Sequence, residues 1–502
     1  MTGPVTSAER TITLLIFIVF QLILIGIALQ SRRKLQKTAI DKYTEEFYTA
    51  GRGLGVFAVA FMLAAGLCSV GTFLGGPGLA YSIGIPYVSL IGLQVFMNFS
   101  ILVGIGKKVA IIGRRINAFS IGDILSKRAE DFKPLAILYA LIIFLFYSVY
   151  AASQFLGSAR IFEVMTGLPF YYALITAGIV TLIYATFGGI RGVALSAVVQ
   201  GIVMTVATVL LIVFVFKNTL ADYGSLANVT KALANTAGEK YVTEYMPLKW
   251  QLGLWFMFDW GLMALPHGLQ AAFTYKSTKA LKGAVIIGAI AVTFWTLSML
   301  MSGLLARLYV PDLKVADYAI PLMVMKFSPW LGGIVFSGVI AAAQSTIAVM
   351  IMVISGALLQ QLYRNVKPNA TPVQLKKATL YLTVVAAVLP FLLALVQIPA
   401  LEYLIIFAVG GTASAFLAPI ALGLFWKRGS KYAMSSSMVV GLLVYIMGKA
   451  VYKPLAMGWD ASVVATLSSF LVYIIVALIK NERPSQHVLN LFWGVNKPNT
   501  TV

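Results

Sequence analysis

Apolar stretches about as long as a bilayer is thick recur along the whole chain and are separated by short polar segments. A helix needs about 20 apolar residues to cross the hydrocarbon core of a membrane. Stretches of this kind occupy residues 11–30, 54–82, 86–106, 134–165, 169–187, 193–216, 250–273, 283–309, 330–358, 377–396, 402–425, 432–451 and 460–480. The pattern predicts an all-α polytopic membrane protein with about 13 transmembrane helices.

Two of the predicted spans contain residues that interrupt helices. The second span, 54–82, has five glycines and one proline between Gly66 and Gly78, and the seventh, 250–273, contains Asp259 and then Pro266, His267 and Gly268. Proline costs about 3 kcal/mol in a helix and glycine about 1 kcal/mol, and in hydrocarbon the freed backbone groups need partners. Either small residues pack helices closely here, or the segments are unwound and face a binding cavity. A carboxylate at membrane depth likewise either pairs internally or marks a transport pathway.

The two interrupted spans are separated by four uninterrupted spans. Interrupted helices at matching positions of two halves are typical of inverted-repeat secondary transporters. We therefore expect a five-plus-five fold with repeats at 54–216 and 250–425. The other predicted segments are an external N-terminus, first helix and cytoplasmic loop (1–53), an external loop (217–249), two C-terminal helices (426–480) and a cytoplasmic tail (481–502).

Composition and charge agree with a membrane protein. The chain is 60% hydrophobic and 11% charged, with a mean hydropathy of +0.90, whereas soluble domains carry about 25% charged residues. Lys and Arg concentrate in cytoplasmic loops, and 27 of the 38 fall on one side of the predicted topology. The net charge of +21 therefore reflects Lys and Arg in cytoplasmic loops and does not indicate nucleic-acid binding. The distribution of these charges predicts a multi-pass cell-membrane protein with an external N-terminus and a cytoplasmic C-terminus.

The ninth span carries two adjacent hydroxyls, Ser345 and Thr346, among apolar residues. Hard cations such as sodium take oxygen ligands. The carbonyl of Ala342 lies on the same helix face as Ser345, and an unwound second span could add two more carbonyls. Alternatively, the hydroxyls bond back to the preceding helical turn.

Eight stretches of the chain form a recognisable set: 73-FLGGPGLAYSIG-84, 106-GKKVAIIGRRINAFSIGDIL-125, 154-QFLGSARIFEVMTGLPF-170, 187-FGGIRGVALSAVVQG-201, 265-LPHG-268, 275-YKSTKA-280, 341-AAAQSTI-347 and 362-LYRNVKP-368. Together they resemble the solute:sodium symporter family, and within it most closely the sodium/pantothenate symporters. The resemblance implies sodium-coupled uptake by a thirteen-helix fold with inverted repeats.

The resemblance also implies a sodium ligand set. Ser345 and Thr346 match the hydroxyl ligands, Ala342 matches a carbonyl on that helix, and Ala65 and Cys68 match two carbonyl donors on the second span. Many relatives have an acidic residue where this chain has Ala197. That departure puts a second cation site, or a step in sodium release, in question.

A substrate between the two interrupted helices is expected to be a small carboxylate, because helix N-termini favour anions. Pantothenate, a monocarboxylate and an amino acid such as proline all fit, and Asp259 could bind a hydroxyl, bind an amine or remain protonated. The predicted substrate-binding residues are Ser69, Gly71, Thr72, Phe73, Gln154, Phe258, Asp259, Trp260, Gly411 and Thr412.

Other function classes find less support in the sequence. With two histidines and one cysteine, no metal-ligand cluster or nucleophile–base pair appears, which argues against an enzyme. A membrane channel, a solute sensor and a proton-coupled transporter remain alternatives. The expected partners are the solute, Na⁺ as the coupling ion and the lipid bilayer, with no cofactor, nucleic acid or obligatory protein partner.

Overall fold

The structure is a computed structural model that describes residues 7–94, 101–243, 246–397, 401–456, 458–481 and 483–494. The helices of the first half are α1 Ser7–Gln36, α2 Tyr43–Thr49, α3 Val56–Leu67, α4 Gly76–Ile83, α5 Ile85–Gln94, α6 Lys107–Arg115, α7 Ile121–Arg128, α8 Lys133–Thr166, α9 Phe170–Tyr223, α10 Leu226–Ala237 and α11 Lys240–Thr243. Those of the second half are α12 Leu248–Trp255, α13 Pro266–Gln270, α14 Thr278–Tyr309, α15 Ala319–Phe327, α16 Pro329–Ala357, α17 Arg364–Val366, α18 Pro372–Ala394, α19 Leu401–Phe425, α20 Lys431–Ile446, α21 Ala461–Lys480 and α22 Gln486–Trp493.

Nine helical segments among the described residues are long and apolar enough to cross a membrane. They are Thr11–Gln36, Lys133–Thr166, Phe170–Tyr223, Thr278–Tyr309, Trp330–Val366, Pro372–Ala394, Leu401–Phe425, Lys431–Val451 and Ala461–Lys480. A bent pair, Val56–Leu67 with Gly71–Ile83, would make a tenth span. The all-helical membrane class is confirmed, and the number of 13 spans stays a prediction. The predicted third span, 86–106, includes residues 95–100, which lie outside the described part.

Helix α9 joins the predicted fifth and sixth spans across a kink. Its 54 residues would form a rod roughly 80 Å long, more than twice the hydrocarbon thickness. The kink is at Gly189, whose φ of 55° and ψ of −161° are not helical. A Cβ there would lie 2.9 Å from the carbonyl oxygen of Phe47, so glycine allows both the positive φ and the close approach of α2. Arg191 secures the contact, since its guanidinium binds Glu46 at 3.0 Å.

Both spans predicted to be interrupted are broken, and the second span breaks at Cys68, within Gly66–Gly78 but before the Gly-Gly-Pro-Gly run, which is helical. Helix α3 ends at Leu67, Cys68 is extended (φ −84°, ψ 103°), and a π-helical turn at Gly71–Gly75 leads into α4. The two halves of this span meet at 58°. The seventh span breaks at Leu265, whose extended backbone (ψ 118°) precedes Pro266 at the start of α13. Proline tolerates this position because the first helical residue needs no amide donor.

Helix α16 lies at the centre of the bundle. In its most apolar 18 residues, 94% are buried by protein. It packs against α1, α8 and α9. Gln344 is fully buried, and it forms two hydrogen bonds with the amide of Gln21 on α1. The Tyr184 hydroxyl on α9 donates to the Gln344 carbonyl oxygen. The polar residues of this helix therefore face other protein segments and not lipid.

Candidate functional site

Four oxygen atoms from two helices meet at the end of α3. The Ser345 hydroxyl lies 2.9 Å from the carbonyl oxygens of both Ala65 and Ala342. The Thr346 hydroxyl lies 3.1 Å from the Ala65 oxygen and 3.0 Å from the Ala342 oxygen. All four residues are buried. The structure thus brings together four of the five residues predicted to bind sodium. The hydroxyls bond back along α16, as the alternative interpretation predicts, and they also contact α3; the sodium ligand set stays a prediction.

Cys68, the fifth predicted ligand, is the first residue beyond α3. Its amide still donates to the Ala64 carbonyl oxygen. Its own ψ of 103° turns its carbonyl out of the helical direction, three residues after Ala65. Cys68 is buried and is among the residues that line a cavity. Its backbone follows Ala65 by three residues, so it is close along the chain to the four oxygens.

The break in the second span opens onto a cavity of about 100 Å³. It is lined by Leu67, Cys68, Ser69, Gly71, Thr72, Gly76, Tyr87, Ile91, Tyr150, Leu262, Val292, Thr296, Leu300, Glu402, Ile405 and Val409. Most of these residues are apolar, with a few hydroxyls and a single carboxylate among them. Such a mixture is typical of sites for small organic ligands.

Three of the predicted substrate-binding residues, Ser69, Gly71 and Thr72, line this cavity. The side chains of Phe258 and Asp259 lie outside the described residues. Phe73, Gln154, Trp260, Gly411 and Thr412 do not line it.

Packing and exposure explain why four of these five residues are elsewhere. Trp260 is 56% exposed, while Phe73 is fully buried. Thr412 donates back to Ala408 within α19, and Gly411 provides room for the ring of Phe146. Each of these side chains is therefore used in helix packing or faces outward.

Gln154 caps the helix that begins after the break in the second span. Its Oε1 accepts a hydrogen bond of 2.8 Å from the Val70 amide, and the Ser69 hydroxyl accepts one of 3.0 Å from the Gly71 amide. These amides begin the helix after the break. Because protein side chains already satisfy them, they are not free donors for an anionic substrate, and the helix-terminus argument for a carboxylate loses these two groups.

Glu402, Tyr87, Tyr150 and Thr296 line the cavity but were not predicted to do so. Glu402 is 7% exposed, and its Oε2 has no hydrogen-bond partner among the described residues. The sequence contains a signal for it: Glu402 is an acidic residue at the first position of the predicted span 402–425. That position is easily read as the water-exposed end of a helix.

The segment before α15 packs against α4, beyond the break. The Tyr81 hydroxyl contacts the Leu313 amide at 3.1 Å and the Arg307 guanidinium at 3.0 Å. Asp317 pairs with Arg160 of α8 at 3.4 Å. Burial raises the pKa of Asp317, and the Arg160 guanidinium opposes that rise. One end of the broken helix is therefore fixed by a polar network.

Among the described residues, no group of three or more His, Cys, Asp or Glu side chains is placed to hold a metal ion. The oxygens at the end of α3 are neutral carbonyls and hydroxyls. Such a set suits a weakly held monovalent cation better than a tightly bound divalent one.

Comparison with known proteins identifies the family. A family model described as the sodium:solute symporter family matches residues 47–441. The sodium/pantothenate symporter of Haemophilus influenzae is 31% identical over 81% of this chain and 84% of its own length. That of Escherichia coli is 30% identical over 94% and 97%. A sodium/proline symporter of Haemophilus influenzae is 27% identical over 89% and 91%.

Solved structures share the fold. A Na⁺-coupled sialic acid symporter, in a substrate-bound outward-open state, superimposes with a TM-score of 0.77 at 19% identity, over 93% of this chain and 98% of that one. The nucleobase-cation symporter Mhp1 superimposes with a TM-score of 0.52 at 17% identity, over 89% and 95%. These relatives and neighbours are transporters. The chain belongs to the sodium:solute symporter family.

Proposed function

We propose that this sodium:solute symporter imports pantothenate together with sodium. The proposal for the substrate is supported by relatives named sodium/pantothenate symporters, which match most of the chain at 30–31% identity. Pantothenate carries one carboxylate, one amide and two hydroxyls. The cavity at the break offers a complementary mixture of hydroxyls and apolar surface.

The proposed sodium site rests on one observation: four oxygens share two protons. The hydroxyls of Ser345 and Thr346 each have one hydrogen, yet each lies within 3.1 Å of two carbonyl oxygens. A cation placed among these oxygens would use the surplus lone pairs, and the hydroxyl hydrogens would rotate away. The carbonyl of Cys68, just beyond Ala65, would complete the shell.

Sodium at this position would couple to substrate through the broken span. It would join α16 to the last turn of α3, and the next residues along the chain, Cys68 and Ser69, line the cavity. Each ligand would then stabilise the same arrangement of the break. By linkage, sodium and pantothenate would raise one another's affinity by the same factor.

The proposal includes the predicted architecture. Residues 54–216 and 250–425 would form the two inverted repeats, each beginning with an interrupted helix. The N-terminus would be external and the C-terminus cytoplasmic, in the cell membrane. The 13 spans and the repeat boundaries belong to this proposal.

Uptake into proteoliposomes tests the function. Purified protein should accumulate labelled pantothenate when an inward sodium gradient is imposed, and should not do so when potassium replaces sodium. Unlabelled pantothenate should compete better than proline or a simple monocarboxylate. Accumulation driven by a proton gradient without sodium would contradict the coupling ion, and accumulation of another solute in place of pantothenate would contradict the substrate.

Proline is the second candidate substrate. A sodium/proline symporter matches 89% of the chain, and the ammonium group of an amino acid would give the Glu402 carboxylate a charged partner. Sodium-driven uptake of labelled proline that pantothenate does not inhibit would favour this candidate.

A further inference from the structure

The carboxylate of Glu402 lies against a face of the broken helix that has no side chains. A Cβ atom on Gly71 would be 2.8 Å from Oε2 of Glu402, and one on Gly75 would be 2.6 Å from it. The two glycines are four residues apart, so they lie on the same face of the helical turn. The absence of side chains here leaves room for Glu402 beside the cavity.

One oxygen of this carboxylate has no partner. Oε2 is buried and receives no hydrogen bond from the described residues. Leaving a buried carboxylate oxygen unsatisfied costs free energy, more for a charged group than for a neutral one. Glu402 is in the first turn of α19, where the helix dipole favours a negative charge. The dipole accounts for an acid at this helix end, but not for an unpartnered oxygen that borders the cavity.

The cavity beside Glu402 has hydroxyl groups in its mostly apolar lining, and Tyr87 and Tyr150 are among them. The Ser69 hydroxyl lies 3.2 Å from the position of a Cβ on Gly71, so it is close to the same point as Oε2 of Glu402. Among the described residues, no Lys or Arg lines the cavity. Oε2 is thus available to a hydrogen-bond donor of a bound molecule.

We propose that Glu402 accepts a hydrogen bond from a hydroxyl group of the substrate and thereby selects a hydroxylated carboxylate over one without hydroxyls. This inference rests on the proposed function, because it assumes an anionic substrate whose uptake is driven by sodium. Two carboxylates repel one another at short range in a site of low dielectric. The substrate carboxylate is therefore held away from Glu402, and the neutral hydroxyl end contacts it. Glu402 both orients the substrate and determines its class.

A thermodynamic cycle tests the proposal by combining a substitution of Glu402 with removal of the hydroxyl groups from the ligand. The two ligands are pantothenate and N-(3,3-dimethylbutanoyl)-β-alanine, which keeps the carboxylate and the amide but lacks both hydroxyls. Their apparent affinities are measured by competition in sodium-dependent uptake and in equilibrium binding to purified protein. For the wild type we expect pantothenate to bind about 10- to 100-fold more tightly, the usual value of a hydrogen bond to a charged group.

Glu402→Gln keeps the shape of the side chain and removes its charge. We expect the ratio of the two affinities to fall at least about fivefold, because a neutral hydrogen bond is weaker than a charge-assisted one. Glu402→Asp keeps the charge but shortens the side chain by one methylene, and it should reduce the ratio in the same direction. The control is Glu163→Gln, the same change at an exposed carboxylate near the end of α8, which should retain the wild-type ratio.

The outcomes separate the two proposals. An unchanged ratio in Glu402→Gln, or equal weakening of both ligands, would overturn the role of Glu402, since a contact with the hydroxyls must cost pantothenate more than the analogue. Binding measurements decide this even if the variant no longer transports. A wild-type protein that accumulates no pantothenate on a sodium gradient would instead contradict the proposed substrate.

Discussion

The amide of Gln344 on α16 faces the amide of Gln21 on α1, and each donates to the other. The Gln344 Nε2 lies 2.9 Å from the Gln21 Oε1, and the Gln21 Nε2 lies 3.3 Å from the Gln344 Oε1. Both side chains are buried. Gln344 thus holds α16 against α1, while the next two residues, Ser345 and Thr346, face α3. Three consecutive polar residues in an apolar span therefore serve two different contacts.

Removing one amide of this pair should destabilise the protein without changing sodium affinity. Gln21→Leu leaves the Gln344 amide buried without its partner, which costs about 1–3 kcal/mol. We expect a lower unfolding temperature in detergent and a sodium half-saturation close to that of the wild type. The double variant Gln21→Leu/Gln344→Leu should cost less than the sum of the single changes, because no amide is then left unpaired. Additive losses would show that the two amides do not interact.

Thiol labelling tests the orientation of the chain. Asn235 on α10 and Asn369 before α18 are both exposed. In a Cys68→Ala background, Asn235→Cys should react with a membrane-impermeant thiol reagent in intact cells, whereas Asn369→Cys should react only after permeabilisation. The reverse pattern would mean that the basic loops are external and that the topology is inverted.

Cys68 should tolerate replacement of its side chain. The proposed contribution to the sodium shell comes from its carbonyl, and Cys68 lines the cavity. Cys68→Ala should therefore keep the wild-type sodium dependence. A small membrane-permeant thiol reagent should inhibit the wild type by filling the cavity, and bound pantothenate should slow that inhibition. A large change in sodium half-saturation in Cys68→Ala would show that the thiol itself contributes to the site.

Transport should be electroneutral if one sodium ion accompanies each pantothenate anion. Ala197 is buried and provides no side-chain oxygen at the position where the family resemblance implies an acid, so we expect a single sodium site. Proteoliposomes clamped with potassium and valinomycin should then show an uptake rate that does not depend on membrane potential, and the sodium dependence should have a Hill coefficient near one. Stimulation by an inside-negative potential would indicate a second sodium ion.

Local features of the chain are enough to predict that this is an all-helical membrane protein and which two spans are broken. Long apolar stretches identify the membrane class, and the glycine-rich stretch from Gly66 to Gly78 and Pro266 mark the two broken spans because the backbone chemistry of glycine and proline is local. The position of the first break, at Cys68, is not marked by a glycine or a proline. Ser345 and Thr346 stand out because hydroxyls are unusual beside one another in an apolar span. The structure places them against Ala65, as the ligand hypothesis requires.

The residues that line the cavity could not be predicted from local sequence features, because they come from separate helices. Gln154 was expected to contact substrate, but its position across from Val70 makes it a cap for the helix after the break. From the sequence, Glu402 is expected at the water-exposed end of a helix; only the structure shows that it is buried against Gly71. Which faces of separate helices meet is decided by tertiary packing, and a single sequence carries no direct record of it.

The sodium dependence of Ser345→Ala and Thr346→Ala tests the central claim most directly. Each change removes one oxygen of the proposed shell and leaves the helix intact, since alanine is the best helix former. The matched control is Ser337→Ala on the same helix, where the buried hydroxyl donates only to the Gly333 carbonyl one turn back. If the account is right, both site variants raise the sodium half-saturation at least about tenfold, pantothenate uptake recovers at high sodium, and the control behaves as the wild type. If Ser345→Ala and Thr346→Ala transport with the half-saturation of the control, the sodium site is not at these oxygens.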